Sequence, residues 1–185
     1  MNAHAVCMKM TEYNPKQLIA LSGDDGEYSE KVFTDSLKSP RFKIINNSIK
    51  PKGGLWTSTY ISGRSDWIEW CGWNMEEWIG RDAILVTVSP SARIFTIDNY
   101  TDLKYLIHKY GKHKVNNYRG DWGNRGYPNY EKIQQDYDII HLTLSGLHDT
   151  ANGFCDSEIY TLMGWDCESS LHLNNVLDDF VHITL

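Results

Sequence analysis

Gly164-Trp165-Asp166-Cys167-Glu168-Ser169-Ser170-Leu171-His172-Leu173 is the stretch on which the reading of this chain turns. Two carboxylates stand two apart where a short strand begins, beside a tryptophan and two serines. Successive strand residues alternate faces, so the spacing predicts that Asp166 and Glu168 point to the same side. Two like charges so placed perturb each other's proton affinity unless a cation or donor faces them, a common way of tuning acids and bases. The bland alternative is a solvated strand end, and the rest of the chain decides between the two.

The chain of 185 residues suits one ordinary domain with a proper core, and its 41% apolar and 23% charged residues are normal for a globular protein. Residues 1–30, polar and carrying the turn signal Gly23-Asp24-Asp25-Gly26, read as an N-terminal extension; residues 31–185 read as the domain. No apolar run approaches the roughly eighteen residues of a membrane span, and Met1 to Met10 lacks the apolar core of a secretory signal. Cys7, Cys71, Cys155 and Cys167 are scattered with no C-x-x-C, which predicts reduced thiols in a cytoplasmic protein.

Working outward from the opening stretch, Leu55 to Tyr60 alternates with β-favouring residues after a turn at Pro51-Lys52-Gly53-Gly54. Asp66 and Glu69 form a capping-box pattern, and Trp67, Trp70, Cys71, Asn74 and Trp78 recur at helical spacing as an apolar stripe, read as core. Strands follow at 83–88, 92–97 and 137–143, with a helix from about Thr101 to Tyr110 that turns Leu103, Leu106, Ile107 and Tyr110 inward and stops at Gly111. A short helix near 130–136, a polar loop at about 145–157 and closing strands at 159–163, 169–173 and 180–184 complete the pattern. Val32 to Ser36 reads as a short strand, and Lys16 to Leu21 as one or two helical turns. The sum is an α+β domain with six to eight short strands and two or three helices, not a doubly wound parallel sheet.

Several chemistries are excluded by motif. Phosphate-binding G-x-x-x-x-G-K-[ST], dinucleotide-binding G-x-G-x-x-G and hydrolase G-x-S-x-G are all absent. His108 and His113 lack a third ligand at metal spacing, so no metal is expected. Lys50 and Lys52 flank two glycines and precede Trp56, Thr57, Ser58 and Thr59. Cations for phosphate, a flat ring for stacking and hydroxyls for ribose suit a nucleotide, and a plain hairpin turn leading into a strand explains the segment equally well. Between Leu103 and Tyr130, Lys104, Lys109, Lys112, Lys114, Arg119 and Arg125 stand against Asp121 alone, interleaved with Tyr105, Tyr110, Tyr118, Trp122 and Tyr127. In an otherwise acidic chain, that mixture can grip phosphates and stack unpaired bases, or form a solvated loop.

Three segments together resemble the ADP-ribosyltransferase-like proteins of bacteria and their phages: Lys50–Ser58 with Trp67–Cys71, Tyr137–Ile140, and Gly164–Ser169. The resemblance implies a split β-sheet and an NAD⁺ site. It implies an early-strand polar residue at Thr34, with Arg41 or Lys31 as replacements for that family's basic residue. NAD⁺ would be oriented by Trp56, Thr57 and Ser58, with Lys50 and Lys52 at its pyrophosphate. Glu168 would be the catalytic carboxylate, and Asp166, where the family has glutamine or glutamate, an acceptor-side helper. The implied activity is mono-ADP-ribosylation of RNA or DNA, with Lys109, Lys112, Lys114, Arg119 and Arg125 as the nucleic-acid contacts. A toxin role in bacteria–phage conflict, with an antitoxin partner, comes with it. The rivals are a protein acceptor, NAD⁺ hydrolysis, and a non-catalytic binding module on the same fold.

Overall fold

A computed structural model describes residues 13–20, 33, 37–46, 49–80, 82–113, 126–151 and 160–185. Its strands are β1 (Lys16–Ala20), β2 (Ile44–Ile45), β3 (Lys52–Gly53), β4 (Leu55–Thr59), β5 (Asp82–Val88), β6 (Ile94–Ile97), β7 (Lys112–His113), β8 (Tyr127–Pro128), β9 (Ile139–Leu142), β10 (Ser169–His172) and β11 (Leu177–Thr184). Its helices are α1 (Asp66–Asn74), α2 (Tyr100–Tyr110), α3 (Tyr130–Ile133) and α4 (Leu144–Thr150), with a 3₁₀ turn at Glu76–Trp78. Seven strands make one sheet in the order β11-β5-β1-β4-β10-β9-β6, antiparallel throughout except between β6 and β9. This is an α+β architecture with a large mixed sheet.

The alternation of β10 sets its two faces. Leu171 lies opposite Trp56 and Ile140, and it joins Phe95, Ile97, Ile140 and Leu142 in the core. Leu103, Leu106 and Ile107 of α2 belong to the same cluster, so α2 covers this face. The helix forms as its spacing predicts: its buried residues are the four anticipated, and Gly111 ends it with φ +85°. Its start was not anticipated. Asn99 and Asp102 exchange side-chain-to-backbone hydrogen bonds in a capping box.

The sheet comes apart at β4. β1 pairs with Ser58 and Thr59, whereas β10, on the other edge, pairs with Leu55, Trp56 and Thr57. The two ladders use opposite ends of one strand, leaving a fork where β10 begins.

Several readings of the sequence are corrected. Lys16–Ala20 is a strand between β5 and β4, not helical turns, so the boundary at residue 30 does not separate this segment from the fold. Its apolar triplet Leu18-Ile19-Ala20 is too short to show a period, and partners on both sides supply what propensity does not. Of the strand predicted over 32–36 only Phe33 lies among the described residues; its backbone is helical, and the Leu37 amide bonds to the Phe33 carbonyl at 3.2 Å. Residues 144–150 are helix rather than loop, capped by the Thr143 hydroxyl, which adds a helix to those expected. Ile159–Met163 shows only an isolated bridge from Tyr160 to Gly126 among its described residues. Strands β5 and β6, adjacent in sequence, do not pair: β6 lies at one edge of the sheet and β5 next to the other.

Helix α1 is the largest departure in burial. Cys71 is its one buried residue, and Trp73 is 88% exposed. Of the predicted stripe, Cys71 is buried, Trp67 and Trp70 are half-buried, and Asn74 and Trp78 are exposed, so the stripe packs at the edge of the fold and is not core. The predicted capping box is not made either, because Glu69 pairs with Arg64 at 2.7 Å and Asp66 turns elsewhere.

Candidate functional site

Glu168 precedes β10 at the fork. Continuing the β10–β4 register from Ser170 opposite Thr57 sets Glu168 opposite Thr59. The ladder has stopped there, and the carboxylate takes the place of a strand. Its Oε2 accepts from the Ser58 hydroxyl and the Thr59 amide, each at 2.9 Å, and its Oε1 accepts from the Thr59 hydroxyl at 2.8 Å. A carboxylate offers about four acceptor positions, so three are occupied and the group is fixed in orientation. The N-terminus of α1 closes the same corner: the Trp67 amide donates to the Ser58 hydroxyl at 3.3 Å, and Asp66 accepts the Glu168 amide at 3.1 Å.

Burial pushes the Glu168 carboxyl above its ordinary range; the hydrogen bonds from Thr59 and Ser58 pull it back, and Asp66 adds to the upward push. The result is a carboxylate that is oriented, nearly dry and raised in proton affinity.

Alternation gathers more polar groups on the Glu168 face. Ser170 and His172 follow it at two-residue steps, His141 lies opposite Ser170, Thr57 opposite Ser170 and Gln17 opposite Thr59. Gln17, Ser170 and His172 are completely buried. The His141 Nδ1 lies 3.0 Å from the Ser170 hydroxyl and 3.4 Å from Glu168 Oε1. Burial lowers His141 to about 4 and His172 to about 3, so both imidazoles are neutral at pH 7. Tyr13 packs edge-on against His141 with ring centroids 5.1 Å apart, and burial raises its phenol above the ordinary range. Cys167, raised by burial to about 12, is a thiol rather than a nucleophilic thiolate.

The predicted site residues divide. Glu168, Thr57 and Ser58 come together at the fork. Asp166 does not share the Glu168 face: the strand starts at Ser169, and Asp166 is half exposed in an ion pair with Lys50 at 3.3 Å. The carboxylate that does approach Glu168 is Asp66. Lys50 also lies over the Trp56 ring at 5.2 Å, and Trp56 meets Trp165 edge-on at 4.7 Å. Trp165 is 1% exposed and stacked on Tyr130, a core residue and not a wall of the polar face. Lys52 is exposed on β3. Gly53 has φ +85°, and a Cβ there would collide with the Lys43 carbonyl, so its packing accounts for that glycine.

Thr34, Lys114, Arg119 and Arg125 lie outside the described residues. Lys109 is held at 3.3 Å from Asp136 and over the Tyr110 and Tyr137 rings, a structural role. Lys112 lies over the Tyr160 ring at 5.7 Å.

Sequence reasoning missed Gln17, Asp66, His141 and His172, and read Thr59 only as a ribose hydroxyl and not as a partner of Glu168. The legible signal was polar residues at two-residue steps inside strands, in Thr57-x-Thr59 and in Ser170-x-His172, together with a histidine inside the apolar run Ile139–Leu142. Compared with known proteins, the chain matches no family model, no curated protein and no solved structure.

Proposed function

We propose that this protein is a mono-ADP-ribosyltransferase that takes ADP-ribose from NAD⁺, with Glu168 as the catalytic carboxylate and a nucleic acid as acceptor. The observation that carries the reading is the Glu168 carboxylate, buried at the fork and held by Ser58 and Thr59. On this reading the fork is the split β-sheet of the ADP-ribosyltransferase-like fold. Cleavage of the nicotinamide–ribose bond develops positive charge on the ribose, and a fixed carboxylate in a dry site stabilises that charge as it forms. The remaining acceptor position of Glu168 takes the ribose 2′-hydroxyl, while Ser58 and Thr59 prevent the carboxylate from rotating away. Thr57 and Ser58 supply the polar edge of the NAD⁺ site, with Trp56, Lys50 and Lys52 toward its pyrophosphate side.

The preference for RNA or DNA rests on the interleaved cations and aromatics between Leu103 and Tyr130, and a toxin role with an antitoxin partner rests on the family resemblance alone. The ion pair between Lys50 and Asp166 favours a second reading, NAD⁺ hydrolysis, because it occupies the residue expected to activate an acceptor.

Labelled NAD⁺ incubated with separate pools of RNA, DNA and protein tests the proposal. Label transferred to RNA or DNA is expected, and Glu168→Gln should lower transfer by about 100-fold or more while the protein stays folded. Release of free ADP-ribose without any labelled acceptor selects the hydrolase. Transfer that survives Glu168→Gln unchanged would sink the catalytic assignment, as would absence of NAD⁺ consumption.

A further inference from the structure

On the buried polar face, one chain of hydrogen bonds has a direction that can be worked out link by link. The Thr59 hydroxyl donates to Glu168 Oε1 at 2.8 Å, so toward its other neighbour it accepts, at 3.1 Å from Gln17 Nε2. That sets the Gln17 amide, whose nitrogen also donates to the Asn14 carbonyl at 2.9 Å. The amide oxygen then accepts from the Thr57 hydroxyl at 2.9 Å. Thr57 has spent its single proton and toward His172 Nε2, at 3.0 Å, it can only accept. His172 must therefore carry its hydrogen on Nε2.

The far nitrogen agrees. His172 Nδ1 is buried with no hydrogen-bond partner among the described residues. On a neutral ring with the hydrogen on Nε2, Nδ1 is a bare acceptor; the opposite tautomer would bury an unpaired N–H, the rarer and more costly defect.

We propose that His172 is a positioning residue for Glu168: as the first donor it completes a chain through Thr57, Gln17 and Thr59 in which every hydrogen bond runs toward the carboxylate. The four links cross three neighbouring strands, β10, β4 and β1, and end at the fork. Aligned donors polarise one another, so the last bond to Glu168 is stronger than an isolated hydroxyl would make it. The chain offsets part of the cost of keeping a carboxylate ionised in a dry site. Replacing His172 with a residue that cannot donate removes the first donor of the chain; Gln17, pinned by the Asn14 carbonyl, still orients Thr57 and Thr59, so the bond to Glu168 keeps its direction and loses the added polarisation.

The inference rests on the proposed function only for its catalytic consequence, because nuclear magnetic resonance reads it with no NAD⁺ present. The ¹⁵N shifts of the His172 side chain in the wild type are expected to show a neutral ring protonated at Nε2. Carboxyl ¹³C titration of Glu168 is expected to give a higher midpoint in His172→Leu and in Thr57→Val than in wild type, and His172→Gln, which restores a nitrogen donor, should bring it back. Asp66, His141 and Tyr13 also face Glu168 and are unchanged in all three variants, so they serve as common background. A hydrogen found on Nδ1 overturns the proposal, and so does an unmoved Glu168 midpoint in folded His172→Leu and Thr57→Val. If the midpoint moves as expected while NAD⁺ consumption is absent, the relay stands and the transferase reading falls.

Discussion

Glu168 carries opposing forces that a residue-level prediction can separate. Burial raises its folded-state proton affinity above that of the unfolded chain. A group so shifted contributes stability below the unfolded value, and that contribution is lost as pH rises through the folded value. Glutamine does not titrate, so Glu168→Gln is expected to be more stable than wild type at neutral pH, with the gap narrowing as pH falls through the glutamate range. Thermal melts of both proteins across that range check it, and a constant gap would show that Glu168 stays unshifted. On the proposed function the gain in stability would accompany a loss of transfer, the usual trade where a buried charge serves function. Asp166, the other half of the motif, has no such tension. It is half exposed beside Lys50, where an ion pair contributes little.

At the scale of elements, α1 and β10 show why periodicity predicts an element better than it predicts burial. Trp67, Trp70, Cys71 and Trp78 have the spacing of a core stripe, yet the helix is seated mainly by its N-terminus, against Ser58 and Glu168, and only Cys71 is buried. Trp73→Ala is therefore expected to change folding stability by no more than about 0.5 kcal/mol. Leu171, fully buried in β10 between Trp56 and Ile140, should behave in the opposite way, with Leu171→Ala costing about 2–5 kcal/mol. Urea denaturation of the two variants distinguishes the cases. Equal effects would mean that α1 packs through its tryptophans after all.

At the scale of the whole molecule, the sheet depends on a strand from the region read as an extension. β1 joins β5 to β4, so without it the β11–β5 ribbon has no partner leading to the site. Deletion of residues 1–20 is expected to abolish the cooperative thermal transition, and a truncated protein that melts as wild type would refute this role. Acid sensitivity also belongs to this scale. His141 and His172 are depressed by burial to about 4 and about 3, so each contributes stability above the ordinary histidine value of 6.5 that is lost as pH falls through the folded values. Asp138, which burial alone would raise, is held at about 2 by hydrogen bonds from Arg93 and Asn174, and it acts in the same direction at lower pH. Among the described residues Glu168 opposes them, its proton affinity being raised by burial. Melting temperature should accordingly fall as pH drops from 6.5 toward 3, and circular dichroism melts across that interval measure it.

The sequence by itself determined the α+β class, the helix at 100–110 with its inward residues, the strands around 83–88, 94–97, 139–142 and 169–172, and the choice of Glu168, Thr57 and Ser58 as residues that come together. Each of these follows from local periodicity or from residue type at short spacing, which a linear chain displays. Tertiary structure alone decided that Lys16–Ala20 is a strand, that β5 and β6 lie toward opposite edges, and that the sheet forks at Thr57. It also decided that Asp66 rather than Asp166 approaches Glu168, and that Gln17, Thr57 and His172 join one buried chain. Those facts depend on which edges pair across separations of 40 residues and more, and hydrogen-bond partners that far apart leave no period to read.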